Sequence, residues 1–81
     1  MRAGIYEIDL HGASQQQAYA RIDAELRCAR ASVYRIRIIH GYNGGTALRD
    51  MIRKRFRSHP RVLRVEIGLN PGTTELVLRE F

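Results

Sequence analysis

The stretch Ile5-Tyr6-Glu7-Ile8-Asp9-Leu10-His11-Gly12 decides the fold. Its apolar and polar residues alternate with a period of two, which predicts a half-buried β-strand that ends at Gly12. The following Ser14-Gln15-Gln16-Gln17 fits a capping box with Ser14 as the N-cap of a helix. Apolar residues then recur at helical spacing and predict a helix over roughly 15–30; they are Ala18, Ile22, Leu26 and Ala29.

The rest of the chain continues this alternation of elements. Val33 to His40 predicts a second strand, and Thr46 is a suitable N-cap for a second helix. The residues 62–69 and 74–79 predict two more strands, joined by a turn at Asn70-Pro71-Gly72-Thr73. The apolar side of the second helix consists of Leu48, Met51, Ile52 and Phe56.

This order of elements predicts an α/β fold, a two-layer β-α-β-α-β-β sandwich with a four-stranded mixed sheet. The strand-helix-strand unit requires parallel pairing, whereas the short last turn predicts an antiparallel hairpin. Because the strands alternate, we expect both helices on one face and an open polar face on the other. Leu63, Val65 and Ile67 are predicted to face the helices, and Cys28 is predicted to be buried. The residues expected on the open face are Glu7, Asp9, Arg35, Arg37, Arg64, Glu66, Glu75 and Arg79.

Length and composition exclude several classes of protein. A chain of 81 residues with 44% hydrophobic residues can build one small core, so we expect a single domain over residues 1–81. No apolar run approaches the ~18 residues of a membrane span, and we expect no membrane partner. The single cysteine excludes an internal disulfide framework, and the simplest compartment is a reducing cytoplasm.

The charge points towards a phosphate-rich partner. Of the 14 cationic residues 13 are arginines, and the formal net charge is +6. Arginine presents a planar set of donors that suits phosphate. The isoelectric point of about 10.4 lies above the value of ~9 typical of nucleic-acid-binding domains. These features favour DNA or RNA as the partner, with a solvated basic surface as the alternative.

Two histidines fall at the ends of the first two strands. If these strands are parallel, His11 and His40 lie at the same edge of the sheet, where open α/β sheets bind their ligands. With Asp9 nearby, the two imidazoles could act as general base and acid. The alternative is that each histidine bonds nearby backbone. His40 shares the alternation of the buried Ile36 and Ile38, so it points outward only if the turn at Gly41 breaks the pleat.

The segment Gly41-Tyr42-Asn43-Gly44-Gly45 opens the second helix. Backbone N–H groups at a helix N-terminus bind anions, and glycine allows a phosphate to approach closely. Tyr42 projects from this segment and could stack on a base. The alternative is a plain flexible turn.

The motifs resemble those of a known family. Ile8-Asp9-Leu10-His11-Gly12 looks like the LDLHG motif that opens the small MutS-related (Smr) domain. Ile38-Ile39-His40-Gly41, with its glycine-rich loop and Ala47-Leu48-Arg49, resembles the second motif of that family. Asn43 stands where a glycine is usual, and the loop is one residue longer. The resemblance implies a short stand-alone member of the family, with a β-α-β-α-β-β fold similar to the C-terminal domain of bacterial translation initiation factor three.

The resemblance also implies a function, since several Smr domains nick DNA or cleave RNA. Asp9, His11 and His40 would then form the catalytic group. Asp9 would orient a histidine or bind a divalent metal such as Mg²⁺ or Mn²⁺, although the spacing does not require a metal. The phosphate ligands are expected to be Gly41, Gly44, Gly45, Arg35, Arg37, Arg49 and Arg53.

Two other functions remain open at this stage. The first is a non-catalytic module that binds nucleic acid or the ribosome. The second is a protein-interaction domain whose open sheet face docks a partner or a second copy, giving a homodimer. The intact Asp9-Leu10-His11-Gly12 favours the endonuclease, whereas the altered glycine loop favours the binding module.

Overall fold

The computed structural model describes residues 4–41, 46–68 and 70–80. They form a four-stranded sheet in the order β1-β2-β4-β3. Strand β1 is parallel to β2, and β4 is antiparallel to both of its neighbours, which confirms the predicted mixed α/β fold. The elements are β1 (Ile5–Asp9), α1 (Gln15–Cys28), β2 (Arg35–Ile39), α2 (Ala47–Phe56), β3 (Arg64–Ile67) and β4 (Thr73–Val77). The strands are shorter than predicted because the alternation of side chains continues beyond the paired residues.

Helix α1 begins as predicted. The Ser14 hydroxyl accepts from the Gln17 backbone N–H at 3.0 Å, and the Gln17 side chain accepts from the Ser14 N–H at 3.1 Å. The helix ends at Cys28, because Ala29 is already extended. The prediction of a buried Cys28 is wrong, since the residue is exposed. Two residues advance the helix by about 200°, so Cys28 faces away from the side on which Leu26 is buried.

The hydrophobic core lies between the helices and one face of the sheet. Ile8, Ile36, Ile38 and Leu76 contribute from the strands, and Ala18, Ile22, Leu26, Ile52 and Phe56 contribute from the helices. The rings of Tyr19 and Phe56 join α1 to α2 and lie 5.1 Å apart. The guanidinium of Arg55 lies 4.9 Å from the centre of the Tyr19 ring. This cation–π contact explains why an arginine falls within the apolar side of α2.

Strand β3 departs from the predicted burial. Leu63 and Ile67 were expected to face the helices, but they are 56% and 76% exposed. Helix α2 packs on β4, and β3 lies beyond it at the edge of the sheet. The alternation predicted Val65 correctly, since it packs against the core, whereas Leu63 precedes the strand and follows the buried Val62.

The open face of the sheet is polar, as predicted, and Arg35, Arg37 and Arg64 are paired on it, whereas Arg79 has no carboxylate partner among the described residues and its buried Nε has no hydrogen-bond partner there. Glu75 accepts from Nη1 of Arg35 at 2.5 Å and from Nε of Arg37 at 3.0 Å. Arg35 also donates to Glu66 at 2.8 Å, and a guanidinium nitrogen of Arg37 lies 3.7 Å from Glu7. Glu75 is only 5% exposed, because it lies on a central strand beneath two arginine side chains. We call Glu7, Arg35, Arg37, Glu66 and Glu75 the ion-pair network.

Replacing the buried carboxylate should cost more stability than replacing an exposed one in the same network. We expect Glu75→Gln to lower the free energy of unfolding by about 3 kcal/mol, because two partly buried guanidinium groups lose their common partner. Urea denaturation measures the change. The matched control is Glu7→Gln, an exposed member whose loss should cost less than about 1 kcal/mol. Equal effects of the two substitutions would contradict a stabilising role for the buried position of Glu75.

Candidate active site

The carboxyl ends of β1 and β2 bring the two predicted motifs together. Parallel pairing continues past β1, where the Leu10 N–H donates to the Ile39 carbonyl at 2.7 Å. Gly41 has φ +76°, a conformation that other residues rarely adopt. A Cβ built at Gly41 would lie 3.5 Å from the Cβ of His11. The predicted proximity of His11 to the residues that follow β2 is therefore present in the structure.

Asp9 and His11 form a compact acid–base pair. Oδ1 of Asp9 lies 2.5 Å from Nδ1 of His11 and also accepts the His11 backbone N–H at 3.2 Å. A carboxylate accepts only, so Nδ1 has the proton in this contact. The side chain of His11 is 73% exposed, which leaves Nε2 accessible to a ligand. Asp9 thus holds the imidazole of His11 through Nδ1.

The two partners shift each other's pKa. Hydrogen bonds from His11 lower the pKa of Asp9, and the hydrogen bond to Asp9 raises the pKa of His11. The stabilisation from His11 is therefore complete below its ordinary pKa and is lost as pH rises through the raised value. The stabilisation from Asp9 is lost in the opposite direction, as pH falls through its lowered pKa. The imidazolium of His11 is consequently more populated near neutral pH than that of an isolated histidine.

His40 occupies a different environment. It is 5% exposed and lies on the helix-covered face with Ile36 and Ile38, so the turn at Gly41 does not direct it outward. Nδ1 is 2.8 Å from the Gly41 carbonyl, to which it donates. Nε2 is 2.8 Å from the Thr74 hydroxyl. Both ring nitrogens are therefore engaged within the protein.

A chain of hydrogen bonds assigns the tautomer of His40. Nε of Arg53 donates to the Thr74 hydroxyl at 2.9 Å. The hydroxyl can then donate its own proton to Nε2 of His40, while Nδ1–H donates to the Gly41 carbonyl. This arrangement requires a neutral imidazole, and we call it the Arg53–Thr74–His40 chain.

Burial lowers the pKa of His40, and the positive charges of Arg53 and Arg49 act in the same direction. The folded state thus favours the neutral ring. Its contribution to stability is complete above the ordinary histidine pKa and is lost as pH falls through the lowered value. The two histidines of the site therefore have pKa values shifted in opposite directions.

Thr74 is the site residue that the sequence reasoning missed. Its side chain is fully buried and connects a helix side chain to the end of β2. The sequence of the fourth strand already indicated this residue, because Thr74 lies on the same inward side as Leu76 and Leu78. A hydroxyl at an inward position requires a buried hydrogen-bond partner.

The predicted phosphate ligands divide into separate groups. Arg35 and Arg37 lie on the open face in the ion-pair network. Arg49 is paired with Asp50 at 3.1 Å. Within the described part of the chain, Arg53 has no carboxylate at ion-pair distance. Gly41 borders the site, whereas Gly44, Gly45 and Tyr42 lie outside the described residues.

Helix α2 begins beside this site and is strongly basic. Thr46 is its N-cap, as predicted, but its hydroxyl donates to the Asp50 carboxylate at 3.0 Å and bonds no backbone N–H. Its last turn contains Arg53, Lys54 and Arg55, and Arg57 follows as the C-cap. Among the described residues, cations without a carboxylate partner are thus more concentrated on α2 and its C-cap than on the open sheet face, where Arg79 is one.

The donor set for a metal is small. Asp9 and His11 each offer an oxygen or nitrogen that could ligate a divalent ion. Across the ranges that the structure describes, however, no three His, Cys, Asp or Glu side chains are grouped so that they could hold a metal.

Neither of the two helices in these ranges is long and apolar enough to cross a membrane.

A cavity of about 390 Å³ lies elsewhere in the molecule, between the end of α1 and the strands. Its lining includes Tyr6, Cys28, Val33 and Ile36. None of its lining residues belongs to the histidine site.

These observations define the class of protein. It is a two-layer α/β domain with acid–base residues and a basic helix at the carboxyl ends of its parallel strands. The Smr domain family model matches residues 8–71, and the chain belongs to the Smr domain family. Smr domains are known as nucleic-acid-binding modules, some of which are nicking endonucleases.

A solved structure supports the same assignment. The crystal structure of the Smr domain of Thermus thermophilus MutS2 is 32% identical in sequence and superposes with a TM-score of 0.82. The match covers 93% of this chain and 99% of that one. No curated protein sequence gives a significant match.

The opposite pKa shifts of the two histidines can be measured directly. In an NMR titration of the imidazole nitrogens, we expect His11 to titrate above and His40 below the ordinary histidine value of ~6.5. Asp9→Asn removes the carboxylate and should return His11 towards that value while leaving His40 unchanged. Identical titrations of the two rings would contradict the hydrogen-bond assignments.

Proposed function

We propose that this Smr domain binds nucleic acid and cleaves its phosphodiester bonds, with Asp9 and His11 as the acid–base pair. The observation that supports the proposal is the exposed Nε2 of His11, on an imidazole held through Nδ1 by a carboxylate. A histidine oriented in this way can exchange a proton with a bound substrate. The partner is DNA or RNA, since the charge and the site fit both.

Arg53 is the arginine best suited to hold a phosphate. Its Nε is fixed by Thr74, and the described residues offer its guanidinium no carboxylate partner. A fixed guanidinium can present its remaining N–H groups to a phosphate oxygen. Arg49, Gly41 and the backbone at the start of α2 would complete the cradle, with Gly44 and Gly45 as the sequence predicts.

Arg35 and Arg37 are assigned a structural role in this proposal. Their guanidinium groups already bind carboxylates, and their side chains are only 23% and 17% exposed. A phosphate would have to displace Glu75, which is buried between them. The sequence pattern could not separate these arginines from Arg53, because all three lie at polar positions of an amphipathic strand or helix.

His40 is a positioning residue in the proposal. As a neutral ring it holds the Gly41 carbonyl and, through Thr74, the Arg53 side chain. His11 lies directly beside Gly41, so His40 fixes the backbone on which the acid–base pair and the phosphate ligand depend. Proton transfer is assigned to His11 alone, a narrower role than the shared one expected from the sequence.

The chemistry of cleavage follows from the raised pKa of His11. A nucleophilic oxygen attacks phosphorus and forms a new P–O bond while the bond to the leaving oxygen breaks. The imidazolium of His11 can donate its Nε2 proton to that leaving oxygen, and Asp9 stabilises the charged ring before transfer. The nucleophile is water for DNA, and either water or the neighbouring 2′-hydroxyl for RNA, and the proton that it loses on attack passes to solvent water. Mg²⁺ or Mn²⁺ would assist by polarising the phosphate.

The alternative is a non-catalytic module that binds nucleic acid or the ribosome through the same basic surface. The pairing of Arg35 and Arg37 with Glu75 on the open face favours this alternative over a protein-interaction domain that docks through that face. A cytoplasmic location is part of both proposals, since a single exposed Cys28 suits a reducing compartment.

Cleavage assays distinguish the enzyme from the binding module. We expect wild-type protein to cut supercoiled plasmid or structured RNA in at least one of three conditions, namely Mg²⁺, Mn²⁺ and EDTA. His11→Ala should reduce the rate by about 10²–10⁴, the usual contribution of a placed proton donor. Gln16→Ala, an exposed change on α1, is the control and should cut normally. Cleavage of neither substrate by the wild type, or an unaffected His11→Ala, would leave the binding module as the function.

Binding should depend on Arg53 more than on other exposed arginines. We expect Arg53→Gln to weaken nucleic-acid binding and to lower the slope of log affinity against log salt by about 1. Arg27→Gln removes the same charge from the exposed side of α1 and is the matched control. Fluorescence anisotropy over a range of salt concentrations measures both slopes. Equal slopes for the two variants would remove Arg53 from the interface.

A further inference from the structure

The cavity of about 390 Å³ beside the end of α1 is the strongest feature that the proposed function does not use. It lies near the first residues of the two parallel strands, since Tyr6 is the second residue of β1 and Ile36 is the second residue of β2. The His11 site lies at the opposite ends of the same strands. The cavity is therefore separate from the proposed site of cleavage.

The chain leaves this space open because α1 ends early and small residues follow it. Helix α1 ends at Cys28, and Ala29 is already extended. The side chains of Ala29 and Ser32 line the cavity but are too short to fill it. A volume of about 390 Å³ falls within the range of ~300–1,000 Å³ that is typical of small-molecule sites.

Much of the cavity lining is apolar. Val33 and Ile36 are 8% and 1% exposed, and both belong to the hydrophobic core. Tyr6 packs against the same core and adds an aromatic ring to the lining. Glu25 also lines the cavity, but its carboxylate accepts from Nε of Arg21 at 3.2 Å, so its charge already has a partner.

The connection that follows α1 supplies the polar groups that are free to bind a ligand. Arg30 and Ser32 line the cavity and are exposed. In the part of the chain that the structure describes, neither side chain has a hydrogen bond or an ion pair. A guanidinium without a partner can form charge-assisted hydrogen bonds with a carboxylate, and a serine hydroxyl can donate to the same group.

The charges of the lining favour a ligand with a single negative charge. Among the described residues, the lining contains one cation, Arg30, and one carboxylate, Glu25. A phosphate dianion would meet only one guanidinium and would be repelled by Glu25. A carboxylate carries half that charge and matches the planar donors of one arginine.

We propose that this cavity binds a small carboxylate with an aromatic body, whose ring packs against Tyr6, Val33 and Ile36 and whose carboxylate binds Arg30. Aromatic rings pair favourably with one another in offset or edge-to-face arrangements, which suits the Tyr6 side. Because Arg30 is exposed, water competes for the charged group. We therefore expect a dissociation constant on the order of 1 mM for a ligand of about 11 non-hydrogen atoms.

An NMR titration of the whole chain tests the site with three probes that share one apolar part, namely 3-phenylpropanoate, 3-phenylpropanamide and 3-phenylpropylamine. We expect saturable shifts of the backbone amides of Cys28, Val33 and Ile36, and none at His11. The carboxylate should bind about two- to fivefold more tightly than the amide, because an exposed ion pair contributes modestly. The amine should bind most weakly. Absence of saturable shifts at concentrations about 20 times the expected constant overturns the proposal.

A pair of arginine variants tests the anchor. Arg30→Gln should bring the affinity for 3-phenylpropanoate down to that for the amide. Arg61→Gln removes the same charge from an exposed arginine outside the cavity lining and should keep the wild-type difference between the two probes. Equal affinities of wild-type protein for the carboxylate and the amide, or equal effects of the two substitutions, would contradict binding of the carboxylate by Arg30.

Cys28 gives a second measurement, because it is the single cysteine of the chain, lines the cavity and is exposed. We expect 3-phenylpropanoate to slow alkylation of Cys28 by iodoacetamide, with its half-maximal effect at the dissociation constant from NMR. Ala29→Leu places a larger side chain in the cavity and should abolish both effects, while circular dichroism verifies its fold. Alkylation that is not slowed at saturation places the probe elsewhere and overturns the proposal. These measurements contain no nucleic acid, so their outcome is independent of the proposed function.

Discussion

The position of β4 between β2 and β3 is the constraint on which the rest of the structure depends. Its residues 73–77 are all buried, so every polar group on it needs a partner within the protein. Thr74 and Glu75 are neighbours in sequence and point to opposite faces of the sheet. Thr74 holds Arg53 on the helix side, and Glu75 holds Arg35 and Arg37 on the open side. Two adjacent residues thereby fix three arginines.

This arrangement separates the arginines by what they can bind. A guanidinium that already contacts a buried carboxylate has little to gain from a phosphate, because it must first lose its partner. A guanidinium held by a hydroxyl keeps its charge uncompensated. The net charge of +6 is therefore a poor guide to the location of the interface. In the proposed function, the partners of each described cation are the better guide, and they favour an interface on α2.

The sequence predicted the fold well because periodicity reports which side of an element is buried. The element order, the parallel pairing of the first two strands and the capping box at Ser14 were all predicted and are confirmed. The errors concern Cys28, which faces away from the buried side of α1, and Leu63 and Ile67 at the edge of the sheet, where exposure depends on how far α2 extends over its neighbours. Alternation within one strand contains no information about such cover. The pattern also could not show that β4 lies in the centre of the sheet. It therefore could not show that Glu75 is buried.

The sequence indicated where the candidate residues lie better than how each is surrounded. Asp9, His11 and His40 lie at the same ends of two paired parallel strands, and their catalytic roles stay predictions. The sequence could not show that one imidazole would be exposed and the other buried, since this depends on the turn conformation at Gly41 and on Thr74 across the sheet. The alternation did place His40 with Ile36 and Ile38, which was the correct indication.

The opposite environments of the two histidines define the pH range in which the proposed site is assembled. Near the ordinary histidine pKa, the raised pKa of His11 favours its protonated ring, and the lowered pKa of His40 favours its neutral ring. Above this range His11 loses the proton that it would donate. Below it, protonation of His40 removes the lone pair that accepts from Thr74 and places a second charge beside Arg53. The raised pKa of His11 therefore maintains the proton donor, and the lowered pKa of His40 maintains the backbone and the arginine around it. Both shifts start from the same ordinary histidine pKa, so both conditions are met in one pH range around that value.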